Sequence, residues 1–323
     1  MLSVPILFIT FNRPQHTRRV LETILTTHPL DLYVFQDGAR VNNTYDIKAC
    51  KQVRDCIESL TTTSDITLHT LFSDTNLGCG PGPAAAINWF FQNEEMGIIL
   101  EDDAIPNSDF FGYCEELLTR YKDDESIRAI GSMKILQEKK YGDGSYYFSM
   151  MNRNLCAWAT WRRAWKDFDI AMSGVTRSDL KKTLKWYGCN ALEKAYWCDR
   201  LDEVHKDLCK GQSWDMQFLM SIWLNHGKGI IPNVNLSSNI GTIGEGTHLM
   251  QRGNVIDNLP THPILPLCHP STLTIEREAD RCFHYVYFEP QKKNWNKGRV
   301  LYHIINKEIK RIVGHSGPWR KHK

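Results

Sequence analysis

A mixed α/β architecture, with a mostly parallel central sheet flanked by helices, is what this chain of 323 residues predicts. Apolar runs at 4–11 (VPILFITF), 32–38 (LYVFQDG), 66–72 (ITLHTLF) and 98–104 (IILEDDA) have the length of buried strands. Stretches with helical spacing alternate with them through the first hundred residues or so, the pattern that lays parallel strands side by side with helices on their faces. Neither G-x-G-x-x-G nor G-x-x-x-x-G-K-[ST] follows the first strand, which argues against a dinucleotide fold or a P-loop.

Each element has a local cause. After the first strand come Asn12, Arg13 and Pro14, and proline suits a first helical turn. Val20, Leu21, Ile24 and Leu25 then recur at helical spacing. The second strand ends on Asp37, with Gly38 as its turn residue. The third runs into Ser73, Asp74, Thr75, Asn76, Leu77 and Gly78, and an alanine-rich helix spans about 83–92. Beyond the fourth strand, Asn107 or Ser108 is a natural N-cap for a helix whose buried face is Phe110, Phe111, Cys114, Leu117, Leu118 and Tyr121. That helix reads as structural.

The fourth strand stops on three consecutive acids, Glu101, Asp102 and Asp103. Carboxylates at the end of a buried strand repel one another, and their desolvation is costly unless a cation is present. Strand C-termini also face the crevice where open α/β sheets bind ligands. A divalent-metal site holding phosphate oxygens is the chemical reading; a solvated acidic turn is the plain one.

These blocks in this order, VPILFITFNRP, LYVFQDG, the alanine helix with Asn88, and IILEDD followed by Pro106 and SDFFGYCEELL, resemble the GT-A glycosyltransferases over roughly residues 4–250. The likeness is to N-acetylglucosaminyltransferase I and its bacterial relatives, some called hemolytic protein-like. The resemblance implies transfer of a sugar from a nucleotide diphosphate sugar, a UDP-sugar, to a hydroxyl of a glycan or lipid-linked glycan, with Mn²⁺ or Mg²⁺ as cofactor. By position it implies Asp103 as the direct metal ligand and Glu101 and Asp102 as the acids touching sugar and ribose. It places Asp37 on the uracil ring, and Phe11, Asn12 and Arg13 in the loop lining the base pocket. For Asp37 the plain alternative is a turn aspartate before glycine.

The acceptor side falls in the second half. LCAWATWRRAW (155–165) concentrates Trp158, Trp161 and Trp165. Flat amphipathic rings suit the CH faces of sugars. Trp158 and Trp165 read as core anchors, and Trp161 as either core or a sugar-site residue. From about 165 to 210 the chain reads as a charged helical insertion beside the sheet. SWDMQFLMSIWLNH (213–226) is an amphipathic helix with Asp215 in its first turn, where the helix dipole keeps a carboxylate ionised. An inverting transferase needs such a group to take the acceptor's proton, and the resembling family has its base in this position. Simple capping is the alternative. In the glycine-rich stretch 232–250, Gly241, Gly244 and Gly246 suit close approach to a diphosphate, and Thr247 suits a phosphate oxygen. His248 matches a further metal ligand of many GT-A enzymes, with a solvated loop histidine as the alternative. Glu245 is assigned to the sugar site, although relatives often carry an acid where Gly246 stands.

Composition bounds the rest. Hydrophobic residues make up 42% of the chain, enough for a large core. The ten cysteines are scattered without a C-x-x-C pair, there is no secretory signal, and no run approaches a membrane span, so the expectation is a cytoplasmic enzyme with reduced thiols. Residues 1–265 are expected to form the glycosyltransferase domain, with a nucleotide half at 1–104 and an acceptor half at 105–265. Residues 266–323 are expected as a basic extension. Residues 291–323 hold ten Lys or Arg against one acid, Glu308, although the whole chain carries only +2. Within them Leu301, Ile304, Ile305, Ile309 and Ile312 share a helical face. Such a segment suits peripheral contact with an anionic inner-membrane surface, or a helix docked on the sheet. No nucleic-acid module is present. Two other classes stand beside the transferase: a sugar-phosphate nucleotidyltransferase, and a non-catalytic carbohydrate-binding or membrane-active protein.

Overall fold

Four apolar runs become four neighbouring parallel strands. The computed structural model describes residues 1–62, 64–136, 139–151, 157–206, 214–241 and 258–288. Its first part alternates β1 (Ile6–Thr10), α1 (Pro14–Leu25), β2 (Asp31–Gln36), α2 (Thr44–Thr61), β3 (Thr67–Phe72), α3 (Pro81–Asn93) and β4 (Met96–Glu101). All five residues of β1 are buried, as expected of a strand covered on both faces. Pro14 opens α1, and Val20, Leu21 and Ile24 are buried on it. The chain continues through β5 (Ala104–Pro106), α4 (Ser108–Arg120), β6 (Ile127–Gly131), β7 (Tyr146–Ser149), β8 (Ala157–Trp161) and the short α5 (Arg162–Trp165). Asn107 caps α4, its Oδ1 accepting from the Phe110 N–H at 3.1 Å. Then follow α6 (Arg177–Trp186), α7 (Ala191–His205), α8 (Asp215–Leu224), β9 (Lys228–Pro232), β10 (Ser237–Asn239) and α9 (Arg277–Phe283), which runs on into a π-helical turn, His284–Phe288.

The main sheet has eight strands in the order β3-β2-β1-β4-β8-β6-β9-β7. β3, β2, β1 and β4 are mutually parallel, β6 and β9 are parallel to each other, and β8 and β7 run against their neighbours. This is the mostly parallel, Rossmann-like arrangement expected from the sequence. Its order reverses between β1 and β4, and the crevice at such a switch point is where open α/β sheets take ligands. A small antiparallel ribbon of β5 and β10 closes one side of that crevice.

One face of the sheet is covered by α1, α2 and α4 through Val20, Leu21, Ile24, Val53, Ile57, Phe110 and Leu117. The other is covered by α3 and α8 through Ile87, Phe90, Phe218 and Ile222, together with Trp158, Trp165 and Trp214. Between 165 and 210 lie α6 and α7, each opened by a capping box, Thr176 with Asp179 and Asn190 with Glu193. Their apolar faces build a further core around Trp197, Trp223 and Phe288. Residues on either side of 265 are joined by hydrogen bonds. The Ser145 N–H donates to the Cys268 carbonyl, the Glu276 N–H donates to Phe148, and Ser149 Oγ donates to the buried Asp280, so residues 266–288 belong to the β7 edge of the body. The segment 291–323 lies outside the described residues. No helix among the described residues is long and apolar enough to cross a membrane.

Candidate active site

The switch point puts the end of β1 against the end of β4, with Ile9 registered on Glu101. The loop after β1 and the acidic turn after β4 therefore meet. Arg13 Nη1 lies 3.3 Å from Asp102 Oδ1 and 3.7 Å from Asp103 Oδ2. The Phe11 backbone amide lies near enough to the Asp102 carboxylate to favour its charged form. Asn12 turns away, its Nδ2 donating to Asp46 Oδ1 at 2.8 Å.

The turn is electrostatically loaded. Burial and the charges of Asp103, Asp102 and Asp215 push Glu101 well above the usual carboxylate range, with Arg13 opposing. Burial likewise raises Asp102 to about 7, against the pull of Arg13 and the Phe11 N–H. Asp103 Oδ1 is buried and accepts no hydrogen bond among the described residues. A buried carboxylate oxygen left in that state wants a cation. Hard oxygen donors suit Mn²⁺ or Mg²⁺ and not zinc. Among the described residues no three His, Cys, Asp or Glu side chains form a metal cage. Ions of this class need only one or two carboxylates when substrate phosphates complete the shell, so the donor set fits.

The β5–β10 ribbon supports the turn. The Ile240 N–H donates to the Asp103 carbonyl at 2.8 Å, and the Gly241 N–H donates to Asn239 Oδ1 at 2.8 Å. A Cβ at Gly241 would lie 2.7 Å from Asp103 Oδ2, so any larger residue there would have to push the Asp103 carboxylate aside. His16, one helical turn beyond Arg13, brings Nε2 to 3.4 Å from the Ile240 carbonyl. Burial lowers its pKa, and the Arg13 and Asp103 charges act on it in opposite senses. Neither the role of Gly241 beside Asp103 nor His16 was read from the sequence. The helical i+3 spacing from Arg13 was the available signal for His16.

Asp215 opens α8, and Trp214, not Asp215, occupies the cap position. Trp214 stacks on Trp158 with ring centroids 5.6 Å apart and meets Trp165 edge-on at 6.1 Å. Trp165 in turn donates from Nε1 to Asn88 Oδ1 at 2.7 Å. The tryptophans expected as core anchors thus fix the start of α8, and the Asp215 charge reaches Glu101.

Two of the expected site residues have other partners in the fold. Trp161 lies at the far end of β4 from the acidic turn. It is 2% exposed, its Nε1 donates to the Leu118 carbonyl at 3.1 Å, and it is registered on Met96, at the opposite end of β4 from Glu101. At about 3.3 Å per residue that is roughly 16 Å away along the strand. Asp37 is at the C-terminal edge, but its carboxylate is filled by the protein. Oδ1 accepts from the N–H groups of Gly38 (2.9 Å) and Leu77 (2.8 Å), and Oδ2 from the Gly78 N–H (3.0 Å) and Asn76 Nδ2 (3.0 Å). A carboxylate has about four acceptor positions, so Asp37 organises the loop after β3 and has none left for a base. Glu245, Thr247 and His248 lie outside the described residues.

No protein-family model matches the chain, and no curated protein does either. Solved structures similar to it include HddC from Yersinia pseudotuberculosis, at 9% identity over 51% of this chain and 80% of that one, with a TM-score of 0.32. The glycosyltransferase GlyE in Streptococcus pneumoniae TIGR4 is 10% identical over 69% of this chain and 44% of that one, with a TM-score of 0.34. UDP-glucose pyrophosphorylase complexed with UDP-glucose is 8% identical over 75% of this chain and 95% of that one, with a TM-score of 0.38. Likeness at this level concerns the layout of the fold alone.

Proposed function

We propose that this chain is a metal-dependent glycosyltransferase that moves a sugar from a nucleotide diphosphate sugar, a UDP-sugar, to a glycan hydroxyl with inversion. The observation that carries the reading is Asp103 Oδ1, buried and without a hydrogen-bond partner among the described residues, in an acidic turn at the sheet's switch point. Asp103 would hold Mn²⁺ or Mg²⁺, with His248 as a second ligand. The bound ion would neutralise the diphosphate leaving group. Arg13 orients the acids, and Glu101 and Asp102 face the donor's sugar and ribose, accepting hydroxyl protons as hydrogen bonds. Thr247 donates to a phosphate oxygen, and Glu245 contacts the sugar. Asp215 takes the proton of the acceptor hydroxyl as its oxygen attacks the anomeric carbon. The basic segment 291–323 brings the enzyme to anionic lipid on the cytoplasmic face, where lipid-linked glycans are extended.

The test is a thermal-shift screen of nucleotide sugars with and without Mn²⁺, followed by product analysis. A donor at 100 times its Kd stabilises by about 2.7 kcal/mol. Metal-dependent stabilisation by a UDP-sugar, with release of UDP, supports the transferase. Release of pyrophosphate from a nucleoside triphosphate and a sugar phosphate would instead make the protein a nucleotidyltransferase. Metal-dependent binding without turnover would make it a binder.

A further inference from the structure

With Asp37 occupied, the polar group that the end of β2 offers to a ligand is a different one. The loop after β2 carries Arg40, whose side chain is half exposed, against Asp46 in the first turn of α2, whose side chain is fully buried. Asp46 Oδ2 accepts from Arg40 Nε at 2.5 Å and from the Arg40 N–H at 3.2 Å, and Oδ1 accepts from Arg40 Nη2 at 2.9 Å. One carboxylate therefore grips both the backbone and the fork of the same arginine, the bidentate geometry in which guanidinium and carboxylate fit best. Asp46 also takes Asn12 Nδ2 from the β1 loop, and its own N–H donates to Asn43 Oδ1 at 3.1 Å. The arginine is thus fixed to two loops that line the same edge of the sheet. Its guanidinium carbon lies 5.7 Å from the centroid of the Phe11 ring.

Phe11 is the bridge. Two residues on from it, Arg13 reaches Asp102 and Asp103, and its own ring carries Arg40. Acids, Phe11 and Arg40 therefore form a row along the C-terminal edge of β4, β1 and β2, strands adjacent in that order. Adjacent strands are about 4.8 Å apart, so the row covers on the order of 10 Å. A nucleoside diphosphate with its phosphates at the acidic turn and its length along this row would bring its nucleoside to Arg40. Arg40 is a fixed cation beside an aromatic ring, at the end of the row away from the acids.

We propose that Arg40 binds the nucleoside end of the donor, through a carbonyl oxygen of the base or a ribose oxygen, and that Asp46 is the positioning residue that holds it there. This inference rests on the reading of the chain as a nucleotide-sugar enzyme. Sequence reading passed over both residues, although the Asn43-to-Asp46 spacing is that of a cap and its acceptor turn.

The experiment is calorimetric titration of the full-length protein with UDP and with inorganic pyrophosphate, each with Mn²⁺, for wild type and Arg40→Met. Hydrogen bonds to a charged group are worth about 1.5–3 kcal/mol, so UDP affinity should fall by about 10- to 100-fold. Pyrophosphate affinity should stay at the wild-type value, because the contact is with the nucleoside. Arg40→Lys keeps the charge without the fork and should lose UDP affinity as well. Asp46→Asn should repeat the selective loss, a selectivity that a merely structural role would not produce. Unchanged UDP binding in Arg40→Met, or an equal loss for pyrophosphate, overturns the inference while leaving the transferase reading in place. Wild-type protein that binds neither probe overturns the reading itself.

Discussion

Gly241 and Asp103 come so close that a single methyl group would separate them: a Cβ on Gly241 would lie 2.7 Å from Asp103 Oδ2 and 3.1 Å from Asn239 Oδ1. The Gly241 backbone is not left-handed, so alanine there meets no backbone strain and conflicts only with the neighbouring carboxylate. Gly241→Ala should therefore fold, with a near-normal Tm, and displace the Asp103 carboxylate. Mn²⁺-dependent donor binding should weaken by about tenfold, equivalent to about 1.4 kcal/mol. Titration of Mn²⁺ against the variant, alongside its melting curve, checks both halves.

Asp103→Ala removes the carboxylate assigned to the metal from a turn, not from the core. Circular dichroism should show an unchanged fold, while transfer and metal-dependent nucleotide binding are lost. Retention of Mn²⁺-dependent UDP-sugar binding by this variant would remove Asp103 from the metal site.

The acid turn gives a pH signature. Asp102 holds its proton to about 7 in the folded protein, chiefly because it is buried, whereas an unfolded aspartate loses it near 4. Between those values the folded state binds more protons, so this group makes the metal-free protein less stable as pH rises from about 4 to 7. Mn²⁺ needs the ionised carboxylates, so its stabilising effect should grow over the same interval and its binding should release protons. Melting curves across that window with and without Mn²⁺ should diverge as pH rises, and Asp102→Asn should flatten the metal-free slope.

Asp215→Asn keeps the shape at the start of α8 and removes the proton acceptor. Loss of a general base typically costs about 10²–10⁴ in rate, so kcat should collapse while donor affinity holds. A variant that retains wild-type kcat would reduce Asp215 to a helix-start residue.

The basic segment is tested by flotation with anionic and neutral liposomes. Each basic residue near an anionic surface contributes roughly 1 kcal/mol, so full-length protein should float with anionic vesicles at low salt and release as salt rises. Removal of residues 291–323 should abolish flotation and spare donor hydrolysis. Aggregation of the truncated protein would instead show that the segment covers part of the fold.

What the sequence determined by itself was local. Apolar runs and helical periodicity placed β1, β2, β3 and β4 together with α1 and α3, while α2 went unread. The Asn107 cap and the buried face of α4 followed from single residues and their spacing, because those effects act within a few positions of the chain. The acid turn was legible because three carboxylates at a strand end are anomalous without a cation. Tertiary structure decided the rest, where the partner is distant in sequence. Trp158 and Trp161 differ by an odd number of residues, so a strand sends them to opposite faces. Only the packed sheet showed that Trp158 supports Trp214 beside Asp215 while Trp161 reaches the Leu118 carbonyl beneath α4. Asp37 looked available for a base until the loop at 76–78, about forty positions on, returned to fill its oxygens. Hydrogen-bond saturation depends on which donors the fold brings within 3 Å or so, and that proximity is set by strand order and loop closure, not by local spacing.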